Sequence, residues 1–196
     1  MRYPKAFESL ITHFSSLPSI GPKMAERLVL YLFKQDEAKL VAFAESLEGL
    51  KHLSSCRECF YISEAERCGF CSDASRDRAT ICVVEEPLDV IAIERTGSYH
   101  GQYHVLGGVL DAGREDATLR ISELLDRLAS GVVQEVILAT NPTTEGDMTA
   151  YFLKSKLVHL PVKVTRIARG MATGGDIEYA DEVTLTSSLT NRQELV

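Results

Sequence analysis

The 196-residue chain contains no tryptophan and only 7% aromatic residues. Long hydrophobic runs are also absent: the longest spans residues 28–33, whereas a bilayer-spanning helix needs about 20 apolar residues. Basic residues are in the minority, with 21 Lys and Arg against 28 Asp and Glu and a net charge of −7. The lack of apolar runs excludes a helical membrane protein. The net charge argues against a chain that binds nucleic acid over its whole surface.

The first residues do not resemble an export signal. The start, Met1–Lys5, leads into an amphipathic stretch that contains Glu8 and His13, whereas a signal peptide needs an uninterrupted apolar core. We therefore expect a cytoplasmic protein with no membrane segment.

Charge is distributed unevenly along the chain. Residues 1–35 contain five basic and two acidic side chains, and residues 81–196 contain ten basic and seventeen acidic ones. The first part is therefore suited to phosphate, and the second to protein or metal partners. Ordinary scatter of charge over a solvated surface would explain the same counts.

Hydrophobic spacing divides the chain into parts. In residues 5–50 the apolar residues recur at helical spacing and predict three helices. Residues 54–78 lack that spacing and contain four of the five cysteines, and from Thr80 onward short apolar strands alternate with helices, which is typical of a parallel sheet. The predicted fold class is a multidomain α+β chain: a helical region at 1–53, a four-cysteine zinc finger at 54–78, an α/β domain with a parallel sheet at 79–174, and a short C-terminal segment at 175–196 that we expect to support oligomerisation.

The four clustered cysteines form two CxxC pairs, Cys56 with Cys59 and Cys68 with Cys71. Each pair can direct two thiolates at one ion, and two pairs complete the tetrahedral sulfur shell that suits Zn2+. Disulfides do not persist in a reducing cytoplasm, and so short a polar segment needs a staple in place of a core. We predict one structural Zn2+ per chain. An iron–sulfur cluster or a redox-active CxxC pair is the alternative.

A tight turn, Leu17–Lys23, joins the first two predicted helices. Gly21 is free to adopt a positive φ, and Pro22 suits the first position of a helix. The unpaired N–H groups at that helix start attract phosphate, and Lys23 and Arg27 lie beside them on one helix face. The stretch resembles a helix-hairpin-helix motif, which grips the DNA backbone without reading bases. A plain helical hairpin fits the same residues.

Carboxylates follow the first predicted strand of the α/β domain. Glu85, Glu86 and Asp89 come soon after the apolar residues 81–84, and a second polar group, residues 140–147, follows a later strand. Carboxylates from neighbouring strand ends are the usual layout for Mg2+-assisted phosphoryl transfer. The pattern resembles the Toprim fold of primases, topoisomerases and some nucleases.

The second strand end departs from that of an active Toprim enzyme. Such enzymes carry Asp-x-Asp there, whereas the matching positions here are Asn141 and Thr143, which bind a divalent ion less well than carboxylates. Glu145 and Asp147 could partly substitute, although we expect Asp147 to cap the helix that follows. Phosphodiester chemistry is therefore not expected. A metal-dependent nuclease or nucleotidyl transferase remains the alternative function.

The order of these modules resembles the RecR family of recombination mediators over nearly the whole chain. Any one matching stretch is a weak signal, whereas all of them in this order are specific. They are Leu17–Lys23, the four cysteines followed by Ser75–Asp77, Ile81–Pro87, Tyr103–Gly108, Ala139–Thr143, Thr165–Gly170 and Glu178–Leu185.

Three places depart from the family pattern. Ser19 stands where helix-hairpin-helix turns usually have glycine, so a positive φ there would strain the turn. The segment Val109–Ala117 is shorter than the family's loop, and Ala172 stands where the family commonly has proline. Because the last two touch loops near the edge of the sheet, we expect partner contacts there to differ in detail.

The resemblance implies a non-enzymatic protein of recombinational DNA repair. The family acts with RecO, and in many bacteria with RecF, to replace single-strand-binding protein with recombinase at gaps. It assembles as a dimer or as a ring-shaped tetramer that can encircle DNA. A ring would multiply a few cationic contacts per chain into a basic lining. Single- and double-stranded DNA would be bound without sequence specificity through Gly21, Lys23 and Arg27.

The acidic residues of the Toprim face are then available to a partner. Glu85, Glu86, Asp89 and Glu145 are expected to bind a basic protein such as RecO. In a third interpretation the chain is a scaffold without DNA contact, and the hairpin serves only the architecture.

Overall fold

The computed structural model describes residues 3–110 and 119–194. The chain forms two compact units that divide after Leu53. The short loop expected at Val109–Ala117 falls for the most part on residues that lie outside the described ones. No helix among the described residues is long and apolar enough to cross a membrane.

The first unit consists of helices in its described part. Their bounds are α1, Lys5–Ser15; α2, Pro22–Phe33; and α3, Glu37–Gly49, followed by a short 3-10 turn at Leu50–His52. The three helices predicted from hydrophobic spacing are confirmed. Pro22 occupies the first turn of α2, and α3 begins after Asp36, whose carboxylate accepts a hydrogen bond from the Lys39 N–H at 2.9 Å.

This helical unit buries little of its apolar surface. Among its described residues, only Ala25 and Val29, one turn apart on α2, are buried. Large side chains remain open to solvent, including those of Tyr31 and Phe33, which are 63% and 73% exposed. Side chains of this size normally contribute to a core or to an interface.

The second unit begins with the cysteine-rich segment and continues into a sheet. In the cysteine-rich segment, β1 (Ser54–Ser55) pairs antiparallel with β2 (Ile62–Ser63), and α4 covers Gly69–Ser72. In the sheet every neighbouring pair is parallel, and the order is β4-β3-β5-β6. The bounds are β3, Asp77–Val84; α5, Pro87–Glu94; β4, Gly101–Val105; α6, Ile121–Leu128; β5, Glu135–Leu138; α7, Thr144–Leu157; β6, Lys163–Arg166; and α8, Glu182–Thr190.

The parallel sheet has a core on each face, as the alternation along β3 requires. Ile81 and Val83 belong to one hydrophobic cluster, which includes Leu124 of α6 and Leu153 of α7. Cys82 and Val84, which point to the opposite face of β3, belong to the other cluster together with Val90 of α5. Side chains alternate across a strand, so one strand contributes to both cores.

The cysteine-rich segment closes the edge of the sheet at β4. All five residues of β4 are buried although the strand lies at the edge of the sheet. The Val105 N–H donates to the Cys59 carbonyl at 2.8 Å, and the Gly101 carbonyl accepts from the Arg76 side chain. Arg127 of α6 completes the cover by donating to the Tyr103 carbonyl. This cover satisfies an edge that would otherwise be open to pairing with another chain.

Candidate functional site

The four cysteines predicted as metal ligands form one buried cluster. Their sulfur atoms all lie within 4.8 Å of one another, and none is in a disulfide. In a tetrahedral site with Zn–S bonds of about 2.3 Å, sulfur atoms lie about 3.8 Å apart. The cluster therefore has the donor set and the size of a closed zinc site, with Cys56, Cys59, Cys68 and Cys71 as its ligands.

Backbone geometry directs the thiols inward. The Cys68 N–H donates to the Cys56 sulfur at 3.3 Å, and the Phe60 N–H donates to the Cys56 carbonyl at 2.9 Å. The chain then leaves the first CxxC pair through Phe60, whose φ is 63°. This left-handed conformation, unusual for a bulky residue, turns the chain back toward β2.

Hydrogen bonds among the thiols distribute their protons unequally. The hydrogen bond with Cys59 lowers the pKa of the Cys68 thiol. The same bond raises the pKa of Cys59, and a bond with Cys59 also raises the pKa of Cys71. A Zn2+ ion needs all four groups as thiolates. Its binding would therefore displace the protons that the cluster holds, and acid would oppose it.

Aromatic contacts attach the cysteine segment to the sheet. Phe70 packs edge-to-face on Tyr61 at 5.1 Å and on Tyr103 of β4 at 5.6 Å. The Arg76 guanidinium lies 4.9 Å from the centre of the Phe70 ring and pairs with Glu94 at 2.5 Å. The segment therefore shares its stability with the sheet, and a loosened cysteine cluster would expose the edge at β4.

The hairpin predicted to bind DNA presents its cations to solvent. Lys23 and Arg27 are both exposed on α2, and no side chain caps the helix at Gly21. The helix start and the two cations thus form the arrangement expected for a phosphate contact.

The strained residue of this turn is Ser19 and not Gly21. Gly21 has φ −81° and does not use the positive φ that is open to it, whereas Ser19 has φ 65°, the strained conformation considered for this position from the sequence. The Ile20 N–H donates to the Leu17 carbonyl at 3.2 Å, which makes residues 17–20 a turn with Pro18 and Ser19 at its centre. A turn with proline second and a positive φ third normally carries glycine at the third position.

At the Toprim strand ends, Glu85 is held by Asn141. The buried carboxylate of Glu85 accepts hydrogen bonds from the Asn141 N–H at 2.7 Å and from its amide Nδ2 at 2.5 Å. In an active Toprim enzyme a carboxylate in place of Asn141 would share a cation with this glutamate. Here the amide supplies donors directly, so the carboxylate is satisfied without an ion.

Asp147 is neutralised by two arginines. It pairs with Arg166 of β6 at 2.5 Å and with Arg169, and the hydrogen bond from Arg169 is the main reason that its pKa falls to about 2. The expectation that Asp147 caps α7 is wrong. The cap is Thr143, whose hydroxyl accepts from the Gly146 N–H at 3.0 Å.

The other acidic residues of the predicted partner face have different environments. Glu86 and Asp89 form a capping box at the start of α5, in which the Glu86 N–H donates to Asp89 at 2.8 Å, and Glu145 is exposed. The placement of Glu85 on this face needs correction, because its carboxylate is buried against Asn141.

Sequence reasoning missed the two arginines that complete the strand-end site. Arg166 ends β6 and Arg169 follows it, and both meet Asp147 from about twenty positions along the chain. Only their position in the sequence could have indicated this role. Basic residues directly after a predicted strand lie at the same edge of the sheet as the residues that follow the other parallel strands.

A hairpin with exposed cations, a four-cysteine cluster and a Toprim-like sheet define a class of DNA-handling proteins. The model of the Toprim domain matches residues 79–168, the model "RecR, helix-hairpin-helix" matches 7–50, and the model "RecR, C-terminal" matches 170–193.

Relatives of nearly the same length share about half of the residues. The chain is 47% identical over 196 residues to Recombination protein RecR of Rubrobacter xylanophilus, covering 98% of both chains. It is 52% identical over 191 residues to the protein of that name from Chloroflexus aurantiacus, covering 95% of this chain and 93% of the other. For the Deinococcus radiodurans protein the identity is 50% over 196 residues, covering 98% and 88%. The chain belongs to the RecR family of recombination proteins.

Proposed function

We propose that the protein is a non-enzymatic recombination mediator that binds DNA and acts with RecO and RecF to load recombinase at single-strand gaps. The bond between Glu85 and Asn141 carries the non-enzymatic part of this proposal. It occupies the carboxylate that a catalytic metal would need, and Asp147 is likewise occupied by Arg166 and Arg169. A Mg2+-dependent cleavage assay on single- and double-stranded DNA is expected to show no product above background. Metal-dependent cleavage by the pure protein would overturn this part of the proposal.

The cysteine cluster would hold one structural Zn2+. All four ligand positions are filled by thiols that are buried, so the ion would have no open position for chemistry. Its role would be to staple a segment that covers β4 and contributes few apolar residues of its own.

DNA binding would come from repeated weak contacts. Lys23 and Arg27 supply two exposed cations per chain, and a dimer or ring-shaped tetramer would place several such pairs along one DNA backbone. Exposed apolar side chains support self-association: Tyr31 and Phe33 lie in the helical unit, and Tyr179 and Val183 are 83% and 74% exposed in the C-terminal segment. Sedimentation is expected to show dimers or tetramers, and a lone subunit at every concentration would contradict the assembly.

The acidic residues Glu86, Asp89 and Glu145 would form the contact with RecO, without the buried Glu85. Glu145→Lys is expected to weaken RecO binding, because it reverses the charge of an exposed residue beside the strand ends. An unchanged affinity would remove Glu145 from the contact.

A double variant tests the DNA contact. Lys23→Glu with Arg27→Glu is expected to abolish DNA retention at low salt, because repulsion replaces two phosphate contacts in each subunit. Lys5→Glu with Lys34→Glu is the matched control, since both lysines are exposed in the same unit and lie outside the turn. If the folded hairpin variant binds DNA as well as the control, the chain is a scaffold without DNA contact.

A further inference from the structure

A groove of about 700 Å3 lies in the second unit between the cysteine-rich segment and α6. Its lining includes Glu58 and Phe60 from the cysteine-rich segment and Glu123, Asp126 and Arg127 from α6. A volume in this range accommodates a short segment of a ligand rather than a single small group. None of the roles proposed above uses this groove.

Phe60 supplies an aromatic surface to the groove at a strained position. Glycine would adopt its φ of 63° without strain, yet the chain carries the largest apolar side chain of the lining here. The ring is half-buried and held in place: the Arg120 guanidinium lies 4.9 Å from its centre, and His104 meets it edge-on at 5.5 Å. Bulky residues held in rare backbone conformations concentrate at functional sites.

The charges of the lining favour a cationic occupant. Each of its three arginines already pairs with a carboxylate: Arg57 with Glu66, and both Arg67 and Arg127 with Glu58. An anionic ligand would therefore compete with Glu58 or Glu66 for an arginine that already has a carboxylate partner.

Asp126 differs from the other carboxylates of the lining, which pair with arginines. Its side chain is exposed at the groove and has no ion pair among residues 3–110 and 119–194, and the lining as a whole has four acidic residues against three basic ones. A lysine or arginine head group would therefore gain a partner in Asp126 without disturbing the existing pairs.

We infer that this groove binds a basic segment of a protein partner, with the alkyl part of a lysine or arginine against the Phe60 ring and its charged end at Asp126. The inference rests on the proposed function, which already requires a basic protein partner, and it adds a second contact away from Glu86, Asp89 and Glu145. The partner would thus be held both at the strand ends and at the cysteine-rich segment.

The experiment measures the affinity of purified RecO from the same organism for the full chain. Asp126→Lys is expected to weaken it about tenfold at low salt, with a smaller effect as salt rises. Glu64→Lys is the matched control: it makes the same charge change at an exposed residue of the cysteine-rich segment outside the groove, and it is expected to change the affinity less than twofold.

Phe60→Gly separates binding from structure. It removes the ring and the backbone strain together, so the folded, metal-loaded variant is expected to lose RecO affinity about tenfold, whereas Phe60→Tyr retains it.

If Phe60→Gly and Asp126→Lys both bind like the wild type, the groove is not a partner site and the inference is overturned, while the proposed function stands. If RecO does not bind the wild-type chain at all, the proposed partnership fails as well. If Asp126→Lys instead strengthens binding of a labelled oligonucleotide and leaves RecO binding unchanged, the groove takes nucleic acid and the inference is overturned.

Discussion

Asn141→Asp is the most direct test of the proposal that the Asn141 amide takes the place of a catalytic metal at the Toprim edge. The change keeps the size of the side chain and replaces an amide that donates to Glu85 at 2.5 Å by a carboxylate. The loss of a hydrogen bond to a charged group costs about 1.5–3 kcal/mol. Two carboxylates about 4 Å apart near a protein surface repel by about 4 kcal/mol. The variant should therefore be destabilised by about 5.5–7 kcal/mol, a large part of the stability of an ordinary domain.

The control is Asn141→Ala, which removes the hydrogen bond and adds no charge. It keeps the bond from the residue 141 N–H to Glu85 and should cost about 1.5–3 kcal/mol. Urea unfolding can be followed by far-UV circular dichroism, because the chain has no tryptophan to report by fluorescence. Millimolar Mg2+ should raise the stability of Asn141→Asp and leave the wild type unchanged, since only the variant offers paired carboxylates. If Asn141→Asp is no less stable than Asn141→Ala, the amide does not act in place of a metal.

Three further substitutions test other parts of the structure. Cys59→Ser is expected to lower bound zinc below one per chain and to loosen residues 54–74, and full zinc retention by elemental analysis would contradict this. Ser19→Gly is expected to stabilise the hairpin by up to about 1.5 kcal/mol, because relief of about 1–2 kcal/mol of left-handed strain outweighs the entropic cost of about 0.5–1 kcal/mol for glycine; faster amide exchange in residues 17–23 would count against it. Asp147, whose pKa lies near 2 because of Arg169, stabilises the fold above its ordinary pKa of 3.8, and this contribution is lost as pH falls from about 4 through 2. Asp147→Asn should therefore lower the melting temperature at pH 7 and flatten its acid dependence, and an unchanged acid profile would rule out this linkage.

The turn before α2 shows where reasoning from single residues fails. Gly21 is the residue freest to adopt a positive φ, yet the turn formed by Leu17 and Ile20 places that conformation on Ser19. The sequence contained the relevant signal, because Pro18 at the second position of a turn favours a type that needs a positive φ at the next residue. The turn as a whole, and not the glycine within it, therefore decides that Ser19 is the strained residue.

The kind and order of the elements could be predicted where periodicity is strong. The three helices of the first unit and the alternation of parallel strands with helices are confirmed. The start of β3 at Asp77 could not be predicted from hydrophobicity, because its first residues are mostly polar and lie outside the hydrophobic clusters. Pairing of Asp77 with Gly101 of β4 and of Thr80 with Glu135 of β5, and not apolar content, holds that part of the strand in the sheet.

The sequence by itself determined which four cysteines lie together and that the strands of the sheet run parallel. Two cysteines separated by two residues can direct their thiols at the same point. Strands that alternate with helices run parallel, because each helix returns the chain to the same end of the sheet. Only the tertiary structure decided which carboxylates remain available, since the groups that bind them come from distant parts of the chain. Glu85 is taken by Asn141, and Asp147 by Arg166 and Arg169, because the parallel strands end at one edge and bring these groups together.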